Sequence, residues 1–184
     1  MSLSKAAPRR HMHTREIRCD AYERDDGLWD VEGIITDTKS YSFDNYDRGG
    51  VAAGEPVHRM RVRLTIDSDL VVQSAEAETE AAPFNMCPHI TPDYSALAGL
   101  KIGPGWRRGV LQRLGGTKGC THISDLVLGP LPVTAFQAVI PARQRRDSEP
   151  VDGKRPSTLD TCHALAATSP VTKRRWPSFY EGDA

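Results

Sequence analysis

Cysteine is sparse: four residues in 184, with no framework spacing, exclude a disulfide-stapled scaffold and suit a reducing cytoplasm, where thiols stay free. Aromatic residues reach only 7% and hydrophobic residues 39%, enough for one modest core. Neither sign of charge is in excess. Lys+Arg 24 meet Asp+Glu 24, which removes any global pull towards nucleic acid or an anionic membrane. No apolar run approaches the roughly 20 residues that span a bilayer, so no membrane partner is expected. Lys5, Arg9 and Arg10 open the chain with no apolar stretch behind them, so no secretory signal is expected. P-loop, dinucleotide fingerprint, H-E-x-x-H and G-x-S-x-G strings are all missing. The expectation is a cytoplasmic protein with a small-molecule partner.

What is present begins with strands. Thr14 to Cys19 alternates polar and apolar and runs to a turn at Asp25-Asp26-Gly27. Leu28 to Lys39 reads as a longer strand, with Gly33 marking a bulge or a close backbone approach. Residues 44–56, rich in Asp, Gly and Asn, read as a loop. Val57 to Ile66 alternates at period two, which puts Arg59, Arg61 and Arg63 on one face and His58, Met60, Val62, Leu64 and Ile66 on the other. Asp67-Ser68-Asp69 turns the chain into a hairpin partner, Leu70 to Ala77.

Helical signals follow Pro83. Thr91 and Pro92 open a short helix ending near Gly99, and Trp106, Val110 and Leu114 give a one-sided helix over Pro104 to Leu114. A third helix starts at Thr121 and a fourth spans Pro132 to Ile140. The fold class is therefore α+β: an antiparallel β-meander of three to four strands, then three to four short helices packed on one face. Residues 1–13 are expected to be a disordered tail, 14–142 a single domain, and 143–184 a charged linker and C-terminal tail. An exposed meander edge allows a homodimer.

Two C-x-H pairs stand out, Cys87-Pro88-His89 and Cys120-Thr121-His122. Cys87, Cys120 and His122 are candidate metal ligands, of the types zinc prefers, with Cys162 or His163 available from the tail. Within one regular helix, Cys120 and His122 would project about 200° apart, so they converge only at an irregular helix start. Thr121 as N-cap would set Cys120 at a helix mouth, where a thiolate is favoured; the plainer reading is a buried, inert thiol.

The strands offer a second constellation. His58, desolvated on the apolar row, suits a neutral general base. Glu32 would orient it, and Lys39 or Arg61 would hold an anionic substrate. Asp37 shares a side with Lys39 and could pair with it, but strand charges are usually solvated, which is the reading taken for Asp30 and Asp37. For the arginine row, an ion-pair ladder with Glu76, Glu78 and Glu80 is favoured over an anion clamp.

Several strings recur together: Arg24 to Gly33, Asp37-Thr38-Lys39, Val57 to Asp67, Leu97-Ala98-Gly99-Leu100 to Trp106, Leu114-Gly115-Gly116 and Gly119 to His122. In this order they resemble the bacterial domain-of-unknown-function family 2889, across roughly residues 13–140. The resemblance implies no activity. A fainter, fold-level likeness is to iron–sulfur scaffold proteins, matched by Cys87, Leu97-Ala98-Gly99 and Cys120-Thr121-His122. The scaffold's third cysteine is lacking, and His122 follows Cys120 after one intervening residue.

The functional expectation is a small, cofactor-independent lyase acting by proton transfer, decarboxylation or deformylation, on an organic acid or aromatic metabolite. His58, Glu32, Lys39 and Arg61 would carry it. The alternatives are a zinc or iron–sulfur protein using Cys87, Cys120 and His122, and a non-catalytic ligand-binding or assembly subunit.

Overall fold

A computed structural model describes residues 3–146, 155–156 and 158–182. Residues 3–12 carry no regular secondary structure. Four strands follow in chain order: β1 (His13–Glu23), β2 (Trp29–Lys39), β3 (Pro56–Ile66) and β4 (Val72–Ala81). They pair antiparallel in the order β1-β2-β3-β4, the meander that period-two alternation and polar connections favour. The chain is α+β, as the sequence led us to expect.

Register decides which side chains meet. Trp29 lies opposite Ile66, Val31 opposite Leu64, Gly33 opposite Val62, Ile35 opposite Met60 and Asp37 opposite His58. This inner row is buried down to Asp37, which is only 2% exposed. The opposite face carries Glu32, Arg59, Arg61 and Arg63, and lines a groove of about 600 Å³ with Glu76 and Glu78. There Arg59 and Arg61 pair with Glu80, while Arg63 bridges Glu32 and Glu76. The ladder reading holds for Glu76 and Glu80, with Glu32 taking the place expected of Glu78.

Gly33 marks a close approach rather than a bulge. A Cβ there would stand 3.1 Å from Leu131 Cδ2 and 3.3 Å from Cys19 Sγ. The register shift in β2 falls further on, between Asp37 and Thr38.

The segment after β4 is a run of 3-10 turns, Cys87–Leu97, and not the single short helix expected after Thr91. Then come α1 (Trp106–Leu114), α2 (Thr121–Leu128) and α3 (Pro130–Arg146). α3 begins two residues earlier and ends six later than its apolar spacing implies, carrying Pro141 inside it. Trp106, Val110 and Leu114 of α1 join Ile123, Leu126, Val127, Leu131, Ala135 and Val139 over the inner sheet face. Each such aliphatic side chain contributes about 1.5–3 kcal/mol when fully buried.

Thr121–Arg143 corrects one expectation: among the described residues it is one helical stretch long and apolar enough to cross a membrane by length and composition. Running α2 into α3 merges two apolar segments that Gly129 and Pro130 separate in the sequence. Its residues Ile123, Leu126, Leu131, Ala135 and Val139 are fully buried in the core.

The chain divides after Arg146 into two units. In the second, α4 (Pro170–Arg175) is capped by Ser169, whose hydroxyl accepts from the Thr172 amide. Most of the expected charged linker, residues 147–154, lies outside the described residues.

Candidate active site

Asp37 ends the inner row of β2, and its carboxylate gathers four side chains. Arg15, from β1, donates through Nε to Oδ1 at 2.7 Å and through Nη2 to Oδ2 at 2.9 Å, the fork geometry of guanidinium on carboxylate. His13 Nε2 stands 3.3 Å from Oδ1. His58 Nδ1 and His122 Nε2 both face Oδ2, at 3.3 Å and 3.5 Å. The His58 and His122 rings stack, with centroids 3.6 Å apart and planes inclined by 26°.

Local structure explains each position. His58 is the directly opposite partner of Asp37 in the β2–β3 ladder. Arg15 is the Asp37 partner in β1, and its remaining nitrogen Nη1 reaches Asp125 of α2 at 2.8 Å. His122 arrives from the first turn of α2. Here Cys120, not Thr121, is the N-cap: it has extended backbone (φ −97°, ψ 133°), and no side chain of its own caps the helix. Tyr94 holds the N-cap residue itself, its hydroxyl accepting from the Cys120 amide at 2.9 Å and donating to the Cys120 carbonyl at 3.0 Å.

The irregular start lets Cys120 and His122 approach, with Sγ 3.9 Å from Nδ1. The thiol also contacts Met60 Sδ at 3.7 Å and packs against the core.

Electrostatics follow from this packing. Burial alone would raise the Asp37 carboxyl, but Arg15, with His122 and His58, holds it below the usual carboxylate range. Burial, reinforced by neighbouring His122, pushes the His58 imidazole down to about 4 against the pull of Asp37. Burial likewise lowers His122. These shifts favour the neutral form of both rings and the ionised form of the carboxylate between them.

The residues singled out in the sequence separate into three places. His58 sits in the cluster. Lys39 lies two residues beyond Asp37, where its ammonium donates to the Tyr41 hydroxyl at 3.0 Å and lies over the Tyr41 and Phe43 rings. Glu32 and Arg61 occupy the other sheet face, because strand parity sends even positions of β2 and odd positions of β3 away from the core.

Among the proposed thiol-metal set, His122 and Cys120 adjoin. Cys87 opens the 3-10 segment and is not in the one group of metal-ligand side chains gathered within 4.8 Å among the described residues, which is Asp37, His58 and His122. Asp37 is buried, not solvated as a strand charge usually is, and Arg15 is its partner across the β1–β2 ladder. Their signal was available: Asp37 continues the alternation of Trp29, Val31, Gly33 and Ile35.

Residues 13–137 match the family described as "Protein of unknown function (DUF2889)". The chain belongs to this family. The matched span runs from His13 to the middle of α3 and so contains the whole cluster of Arg15, Asp37, His58, Cys120 and His122. No curated protein and no solved structure matches the chain, so the iron–sulfur scaffold likeness has no counterpart there.

Proposed function

We propose that this family member is a small enzyme whose reactive centre is the Asp37–His58–His122 cluster. The reaction class is proton transfer on a small organic acid, of the decarboxylating or deformylating lyase type. The observation that carries it is the placement of one buried carboxylate 3.3 Å from His58 Nδ1. The neutral ring supplies a lone pair as the base, and the ionised carboxylate beside it faces the imidazolium that forms. His122 stacks against the same ring and faces the same oxygen, so Asp37 lies beside both imidazoles and offsets the charge of a proton taken up by His58. Lys39, with Tyr41 and Phe43 beside it, supplies a cation and aromatic surface for an acid or aromatic metabolite. Glu32 and Arg61 have no part in this set.

The setting proposed is a reducing cytoplasm, in keeping with four free cysteines. A homodimer across a free strand edge of the sheet is part of the same reading, checked by light scattering. Purified protein screened against small carboxylic acids for release of carbon dioxide or formate tests the chemistry. His58→Gln should lower kcat at least about 100-fold, in the range of a lost general base. Glu32→Gln should leave it unchanged. Activity that survives His58→Gln would sink the assignment.

A further inference from the structure

We propose that Asp37, His58 and His122 also form a three-ligand site for one divalent transition metal of the zinc class, with an open coordination position. The inference rests on this cluster being the reactive centre; an ion takes the Nδ1 lone pair of His58, so the metal-loaded and proton-transferring forms of the cluster are alternatives.

The distances carry it. A neutral imidazole N–H donating to an oxygen sits at about 2.7–3.2 Å. Arg15 does close to that range on Asp37, so the carboxylate is free to make short contacts. His58 Nδ1 and His122 Nε2 instead stand back at 3.3 Å and 3.5 Å from Oδ2. Metal–ligand bonds of about 2.0–2.1 Å in tetrahedral geometry put neighbouring ligand atoms about 3.3–3.4 Å apart. The spacing is that of a coordination edge. His13, also at 3.3 Å, addresses Oδ1 and falls outside the gathered group.

The surroundings agree. Ligating groups are normally held by partners on their far side. Arg15 fixes Asp37, and Thr121 Oγ1 at 3.5 Å and Cys120 Sγ at 3.9 Å lie on the Nδ1 side of His122. Two imidazoles and one carboxylate are borderline ligands, suited to Zn²⁺, Fe²⁺ or Co²⁺ rather than Ca²⁺ or Mg²⁺. Asp37, Asp125 and Arg15 sum to one negative charge, so a divalent ion leaves the site at plus one, a match for an anionic substrate. The broad terminal torsion of each imidazole lets its lone pair be aimed at an ion beside Oδ2.

The test is equilibrium dialysis of the chelator-stripped full chain against Zn²⁺, with elemental analysis, and against Co²⁺ with visible absorption. One ion per chain and a tetrahedral Co²⁺ band are expected. His58→Ala and His122→Ala should each weaken binding at least about 100-fold, and Cys87→Ser should not; far-UV dichroism verifies folding. His122, at 21% side-chain exposure, is the variant least prone to unfold the chain. Absence of stoichiometric binding, or binding that survives both histidine variants, overturns the metal site. Lyase activity of the stripped protein is read separately, so the metal site and the proton-transfer centre fail independently.

Discussion

Asp37 is the residue on which the cluster turns, and its environment makes its partner more critical than itself. Removing one member of a fully buried ion pair costs about 3–5 kcal/mol, because the other charge is left uncompensated. Arg15 is 36% exposed and also bonded to Asp125, so Asp37→Ala leaves a cation with a second partner and water. Arg15→Ala leaves a carboxylate at 3% exposure with only imidazoles for company. Arg15→Ala should therefore destabilise by about 2–3 kcal/mol at pH 7, more than Asp37→Ala, after discounting for the exposure of Arg15. The deficit should shrink as pH falls, since burial then favours the protonated acid. Urea unfolding at pH 7 and pH 5 gives both numbers; an equal cost at both pH values would contradict the account.

Among the elements, the joint between β2, the 3-10 segment and α2 carries the most constraint. A Cβ on Gly33 would press Leu131 and Cys19, both able to give slightly. Gly33→Val adds more bulk than that contact can absorb and should cost about 1–3 kcal/mol by overpacking, read as a lowered Tm. Gly119 is stricter: its Cβ would strike the Leu114 carbonyl oxygen, a backbone atom. Gly119→Ala should cost more than about 3 kcal/mol and displace Cys120 and His122 together. Tyr94 gives the α2 start a pH signature. Chiefly through burial, its phenol is raised above the ordinary value of 10. Above pH 10 the unfolded chain loses this proton while the folded chain keeps it, so the stabilisation is complete below pH 10 and is lost as pH climbs through the folded value. Tyr94→Phe should cost about 1–3 kcal/mol near neutrality, through the orphaned Cys120 amide, and should flatten that alkaline loss. Unfolding curves from pH 8 to 11 would show an unchanged slope if Tyr94 were not responsible.

For the whole molecule, balanced charge has a consequence separate from the fold. Twenty-four cations against twenty-four anions leave no net repulsion between copies near pH 7. Solubility should be lowest there and rise on either side, with static light scattering against pH as the check. The architecture has a polar and an apolar side: helices cover one sheet face, while the other is an arginine–glutamate ladder. The candidate site lies where the covered face reaches its end, so that buried and solvated surroundings meet at one carboxylate.

Alternation alone determined the meander, the row of Met60, Val62, Leu64 and Ile66 with His58 at its end, and the opposite row of Arg59, Arg61 and Arg63. These are local periodicities, legible because a strand has only two faces. Strand parity also places Glu32 and Arg61 on the face away from His58. What only tertiary structure decided is the company Asp37 keeps. Arg15, His58 and His122 lie 22, 21 and 85 positions away in sequence, and no spacing rule links them. Their convergence depends on strand register and on α2 starting at an extended Cys120 held by Tyr94. Register and the hold of Tyr94 on Cys120 across 26 residues are set by the packing of the whole inner face, where burying a side chain outweighs any local preference.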